Sequence, residues 1–149
     1  MRTRTLSREA ALQYLYEVDI VGLDQAEDLD EFVARQLGRA EARAYAAGLA
    51  RGVLARREEI DGLLKGASDN WALERMAVVD RNVLRLGVYE LLYTGDIPPG
   101  VAINEAINLA RRFSSEDACA FVNGILDRIH ESAPRPDAMP DDGQEGGGE

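Results

Sequence analysis

The chain has 149 residues, 46% of them hydrophobic, enough for one domain with a real core. Its formal charge of −10 at pH 7 argues against a DNA binder held by bulk charge, and its single cysteine excludes a disulfide framework. No apolar run reaches the roughly 18 residues of a membrane span, and Arg8 and Glu9 come before any signal-like apolar stretch, so a cytoplasmic protein away from membranes is expected.

Helical periodicity recurs along the chain and strand alternation does not, which predicts an all-α fold. The first helix is predicted over Ser7–Ile20, with Ala11, Leu12, Leu15, Tyr16 and Val18 as its apolar stripe and Gly22 as its stop. A short helix over Asp28–Leu37 follows. A long one over Ala40–Lys65 then buries Tyr45, Leu49, Val53, Ile60 and Leu63, and Gly48 and Gly52 permit a close helix contact on it. "SDNWALERM" reads as a turn into a short helical piece. The next helix is predicted over Ala77–Tyr93, with Val79, Val83, Leu86 and Leu91 facing in, until Gly95, Pro98, Pro99 and Gly100 break the chain. "VAINEAINLARRF" is one helix. Ser114 opens the last one at capping-box spacing from Asp117, which stands where Glu or Gln is usual. From Ala133 the tail "APRPDAMPDDGQEGGGE" is rich in Pro, Gly and acid and is expected to be disordered. It carries −4 of the net charge and leaves −6 for the folded part.

A glycine inside a helix costs about 1 kcal/mol relative to Ala, so Gly124 in "FVNGILDRI" asks for a reason. On a wheel of about 100° per residue, Ala118, Val122, Ile125, Leu126 and Ile129 form the core stripe of this last helix. Phe121 falls roughly 85° to one side, with Asp117, Gly124 and Arg128 on the same flank. A missing side chain there admits a close backbone, ring or base, and an aromatic beside an Arg suits stacking on an unpaired base. The alternative is that Phe121 packs under the preceding loop while Gly124 relieves a helix crossing. Asn123 lies on the other side of the stripe, where its amide can bond a neighbouring loop or a partner. Arg2, Arg4 and Arg8 precede or abut the first acid, Glu9. With the helix N-terminus they make a small candidate phosphate site in an acidic molecule.

Catalytic signals are thin. Asp127-x-x-His130 has no second His to complete a metal site, and no P-loop, dinucleotide turn or nucleophile elbow is present. Glu90 and Glu105 read as structural acceptors or caps, and Asp80 and Arg81 as cap and surface charge. A protein that is not an enzyme, with no metal and no cofactor, is expected.

The pieces "REAALQYLYEVD", "LRLGVYEL", "IPPGVAINEAINLA" and "FVNGILD", in this order and spacing, resemble the NusB transcription antitermination factors of bacteria. The resemblance covers the ordered chain and is strong over its last third. It implies a compact helical bundle of two subdomains, about residues 1–65 and 70–132, followed by the tail at 133–149. It implies binding to single-stranded boxA RNA of ribosomal-RNA leaders together with NusE, a small-subunit ribosomal protein, within an RNA polymerase antitermination complex. It also admits a homodimer. Family RNA contacts carry over to Arg4, Arg8, Gln13, Asp117, Phe121 and Asn123, and NusE contacts to Tyr16 and Asp80. Thr5 and Leu6 stand where relatives often have arginines, and Ala120 where a basic residue can occur, which weakens the electrostatic share of RNA affinity. Two other readings stand beside this one. One is a protein-binding relative that has lost RNA. The other is a fragment of a ribosomal-RNA methyltransferase carrying a NusB-like domain.

Overall fold

Good helix formers and an unbroken inward row carry α1 over Arg2–Val21, longer at its start than the periodicity predicts. Ser7, Arg8, Ala11, Leu12, Leu15 and Val18 are buried along it. Tyr16 is not on that row: it is 42% exposed, and Tyr14, whose hydroxyl donates to the Glu27 carbonyl, takes the inward place. Gly22 ends the helix in the left-handed region at φ +88°. The structure is a computed structural model that describes residues 2–68 and 72–132. The acidic tail, residues 69–71 of the "SDNW" turn and the side chain of Arg2 lie outside the described residues.

Asp28 caps α2, Leu29–Gln36, by accepting from the Glu31 N–H. The long helix expected next is two helices, α3 (Ala40–Ala55) and α4 (Arg57–Ala67). Arg56 leaves helical geometry at φ −113°, ψ 20°, and its N–H is shared between the carbonyls of Gly52 and Val53. The break lets α3 lie on α1 and α2 while α4 turns onto α5 and α7. Of the two glycines expected to permit close packing, Gly52 does: a Cβ there would collide with the Tyr89 ring. Gly48 has open space around it.

A short 3-10 turn, Leu73–Arg75, leads into α5, Val78–Leu92. This helix is buried from Asn82 to Val88 and again from Glu90 to Leu92, and it touches α1, α3, α4, α6 and α7. The buried polar side chains in its middle, Asn82, Arg85 and Glu90, are all answered. Arg85 donates from Nε and Nη2 to Asp61 at 2.8 and 3.0 Å and from Nη1 to Asp19 at 3.0 Å. Asp19 also accepts from Arg81 and Asn82, each at 2.9 Å. Pro99 opens α6, Pro99–Phe113, at the position where its missing N–H costs nothing. The cap of α7, Glu116–Ser132, is Ser115, whose Oγ accepts from Ala118 N–H at 3.1 Å. The cap therefore sits one residue after the expected Ser114, and Asp117 does not close a capping box. The described residues are all-α, with no strand among them.

Candidate nucleic-acid interface

The α7 wheel places its residues as expected. Ala118, Val122, Ile125, Leu126 and Ile129 are buried, Phe121 is half-buried, and Asp117, Asn123, Gly124 and Arg128 are exposed. Among the described residues, nothing outside the helix's own backbone and the two chain neighbours lies within 4 Å of where a Cβ would stand on Gly124. No helix crossing among the described residues therefore requires the glycine, and the reading in which it relieves one is set aside. Arg128 does not reach along the flank toward Phe121 alone: its Nη1 donates to the Ala67 carbonyl at the end of α4.

Phe121 and Asp117 form one wall of a groove of about 350 Å³, together with Ser115 and Ala118. Arg75, Met76, Ala77 and Asp80, from the 3-10 turn and the start of α5, form the other. Three residues expected from the sequence, Asp80, Asp117 and Phe121, are thus brought together. The Oδ1 of Asp80 is buried and has no hydrogen-bond partner among the described residues. Asn123, on the opposite flank of α7, is not part of this groove.

The N-terminal arginines divide. Arg8 is 4% exposed. Its Nε donates to Glu90 Oε1 at 2.8 Å, and its Nη1 lies 3.5 Å from Glu105 Oε1. Tyr45 donates its hydroxyl to the other oxygen of Glu90. Burial works against the Arg8 charge, but Glu90, then Tyr45 and Glu105, outweigh it and raise its pKa. Burial first, and Glu90 second, push the Tyr45 phenol up as well. Arg8 so enclosed offers nothing to a phosphate. Its role is to tie α1 to α5 and α6. Arg4, one turn earlier, is 46% exposed in its side chain and lies 4.5 Å above the Tyr45 ring and 4.0 Å from Asp96. It remains at the surface, where a phosphate can compete for it.

At about 100° per residue, Gln13 stands nearly opposite Arg4 on α1 and beside Tyr16 and Ile20. The structure therefore does not bring Arg4 and Gln13 to one face. It exposes Tyr16, Ile20 (56%), Val21 and Leu23 (60%) as an apolar patch at the end of α1. The sequence reading missed Ile20 and Leu23, although their spacing from Tyr16 was available as a signal. Asp19, inside this stretch, pairs with Arg81 at 2.9 Å and so ties the end of α1 to the start of α5, where Asp80 lies. Two further arginines escaped the reading. Arg112 pairs with Glu9 at 3.2 Å, and Arg111 with Glu116 at 3.2 Å, so the end of α6 bridges α1 and the start of α7.

A family model described as NusB family matches residues 5–131. The chain belongs to the NusB family. It is 48% identical over 136 residues to the transcription antitermination protein NusB of Geobacter sulfurreducens, across 90% of this chain and 98% of that protein. To the NusB of Myxococcus xanthus it is 43% identical over 140 residues, across 91% and 100%. Its fold matches the solved structure of T. maritima NusB with a TM-score of 0.76 at 39% identity, covering 87% of this chain and 91% of that one. A structure of the antitermination factors NusB and NusE with double-stranded RNA matches with a TM-score of 0.76 at 30% identity, covering 88% and 98%. Among the described residues of this NusB-family chain, no group of three or more His, Cys, Asp or Glu could hold a metal ion, and no helix is long and apolar enough to cross a membrane.

Proposed function

We propose that this NusB-family protein is a transcription antitermination factor that binds boxA RNA of ribosomal-RNA leaders together with NusE and promotes read-through by RNA polymerase. The observation that carries the reading is the likeness over nearly the whole chain to a NusB bound to NusE and RNA, joined to a groove with Phe121 on its wall. RNA is met on the Phe121 flank of α7, with Asp117 beside it and Arg4 at a distance along α1. The half-buried ring gives an unpaired base a stacking platform, which does not depend on bulk positive charge. Asn123 contributes from the other side of α7. The protein partner is met on the apolar end of α1 around Tyr16, with Gln13 on the same face, and at Asp80 at the start of α5. The activity is binding, and no catalytic step is assigned.

One observation favours a second reading, a relative that keeps its protein partner without RNA. With Arg8 turned inward, α1 offers one fewer cation to phosphate than its sequence suggests. Binding of the purified chain to a boxA strand and to a scrambled strand, alone and with NusE, separates the two. The antitermination reading expects preference for boxA, sharpened by NusE. NusE binding with no RNA preference in either condition contradicts it.

A further inference from the structure

With Arg8 turned inward, the phosphate reading of α1 comes to rest on Arg4, whose side chain is exposed. A contact that holds an exposed arginine in one rotamer lowers the ordering cost of binding. Two groups stand beside this one. Asp96 lies 4.0 Å from its Nη2 and is itself 66% exposed, so water and salt screen the attraction. The Tyr45 ring lies 4.5 Å from the guanidinium carbon, well inside the about 6 Å over which a cation is drawn to an aromatic face. That ring is a fixed platform. Its hydroxyl donates to Glu90 Oε2, and the other oxygen of Glu90 accepts from Arg8 Nε at 2.8 Å. Helix α3 brings Tyr45, α5 brings Glu90 and α1 brings both arginines. Beside them, the buried Ser7 hydroxyl reaches the Ala42 carbonyl at 2.9 Å and pins α1 to α3. Thr3 and Glu41 complete an open hollow of about 320 Å³ around Arg4 and Tyr45, and Glu41 is engaged by Arg39 at 3.3 Å.

We infer that Tyr45 is a positioning residue for RNA: its ring holds the Arg4 guanidinium in place to receive one phosphate of the bound strand. The inference rests on the RNA reading above and deepens it. The donors of a guanidinium lie in its plane, so an aromatic under its face takes none of them. A carboxylate does take them, and a phosphate must displace it. The ring therefore helps a phosphate where Asp96 competes with it. In a chain whose folded part is acidic, one cation held ready does more than a cation that must first be ordered.

The test is fluorescence anisotropy of a labelled single-stranded boxA RNA with the full chain, across a series of KCl concentrations. Arg4→Ala weakens binding and makes the salt dependence shallower by about 0.7, the value for one single-strand phosphate. Tyr45→Leu weakens binding about two- to fivefold with the slope unchanged, because the cation is still there. Tyr45→Phe loses the same hydroxyl but keeps the ring, and binds as wild type. Asp96→Asn binds as wild type or tighter. In the Arg4→Ala background Tyr45→Leu has no further effect. That arm separates positioning from folding, since a ring that only supports the core weakens binding with or without Arg4. Thermal melting sets a temperature at which each variant is folded. If Tyr45→Leu does not fold, Arg4→Lys carries the test: it keeps the charge and gives up the planar stack, so binding weakens at an unchanged slope. The positioning role is overturned if Tyr45→Leu binds RNA as wild type or tighter, or if its effect persists in full beside Arg4→Ala. It is equally overturned if Arg4→Lys binds as wild type. If Arg4→Ala is silent while Phe121→Leu weakens binding, the inference fails and the RNA reading stands. If both are silent, the RNA reading itself fails.

Discussion

Arg8 and Gly124 show how far a side chain's surroundings decide its role. Arg8 sits in a pocket closed by Glu90, Glu105 and Tyr45. Breaking a buried pair from one side strands the remaining charge, at a cost of about 3–5 kcal/mol. Arg8→Ala is therefore expected to lower the unfolding free energy by an amount of that order, read as a lower denaturant midpoint, and any loss of RNA binding in that variant reports the fold. Arg4→Ala, at the surface, should leave the midpoint nearly unchanged. Gly124 is the opposite case. With open space at its missing Cβ, Gly124→Ala should stabilise the isolated protein by about 1 kcal/mol, read as a higher melting temperature. If that surface takes a close backbone or base, the same variant binds its RNA more weakly. The glycine would then cost stability for the sake of contact.

At the scale of elements, α5 is the axle and its polar residues are the pins. Asp19 joins α1 to α5 through Arg81, Asn82 and Arg85. Burial raises the Asp19 pKa, but the hydrogen bonds from Arg81 and Asn82 and the charge of Arg85 outweigh it, so the carboxyl ends below its ordinary 3.8. A depressed folded pKa means stability that is present above the unfolded value and lost as pH falls through the folded one. Urea midpoints should therefore drop as pH is lowered from about 4, and Asp19→Asn should flatten that limb while lowering stability at neutral pH. The α3–α5 contact has no slack at Gly52. Gly52→Ala should cost about 1–3 kcal/mol through overpacking against Tyr89. The helices themselves were legible because each apolar row has a 3.6-residue period. The break at Arg56 was not. "VLARREEI" contains neither Gly nor Pro, and the two helices that meet there share α5 but otherwise pack differently, α3 on α1 and α2 and α4 on α7.

For the whole molecule, the account separates two surfaces: a groove on α7 for RNA and an apolar patch at the end of α1 for the protein partner. The α7 half was legible, since one wheel puts Phe121, Asp117 and Gly124 on a common flank. Arg8 misled because its partner Glu90 lies 82 residues away, and no local pattern announces a buried pair. The measurement that tests this separation most directly is a crossed titration. RNA and NusE are each titrated, separately, into Phe121→Leu and Tyr16→Ala. The account predicts that Phe121→Leu loses RNA affinity and keeps NusE, and that Tyr16→Ala loses NusE and keeps RNA. Both variants losing both ligands, with the fold intact by circular dichroism, would contradict the two-surface account. So would the reverse pattern.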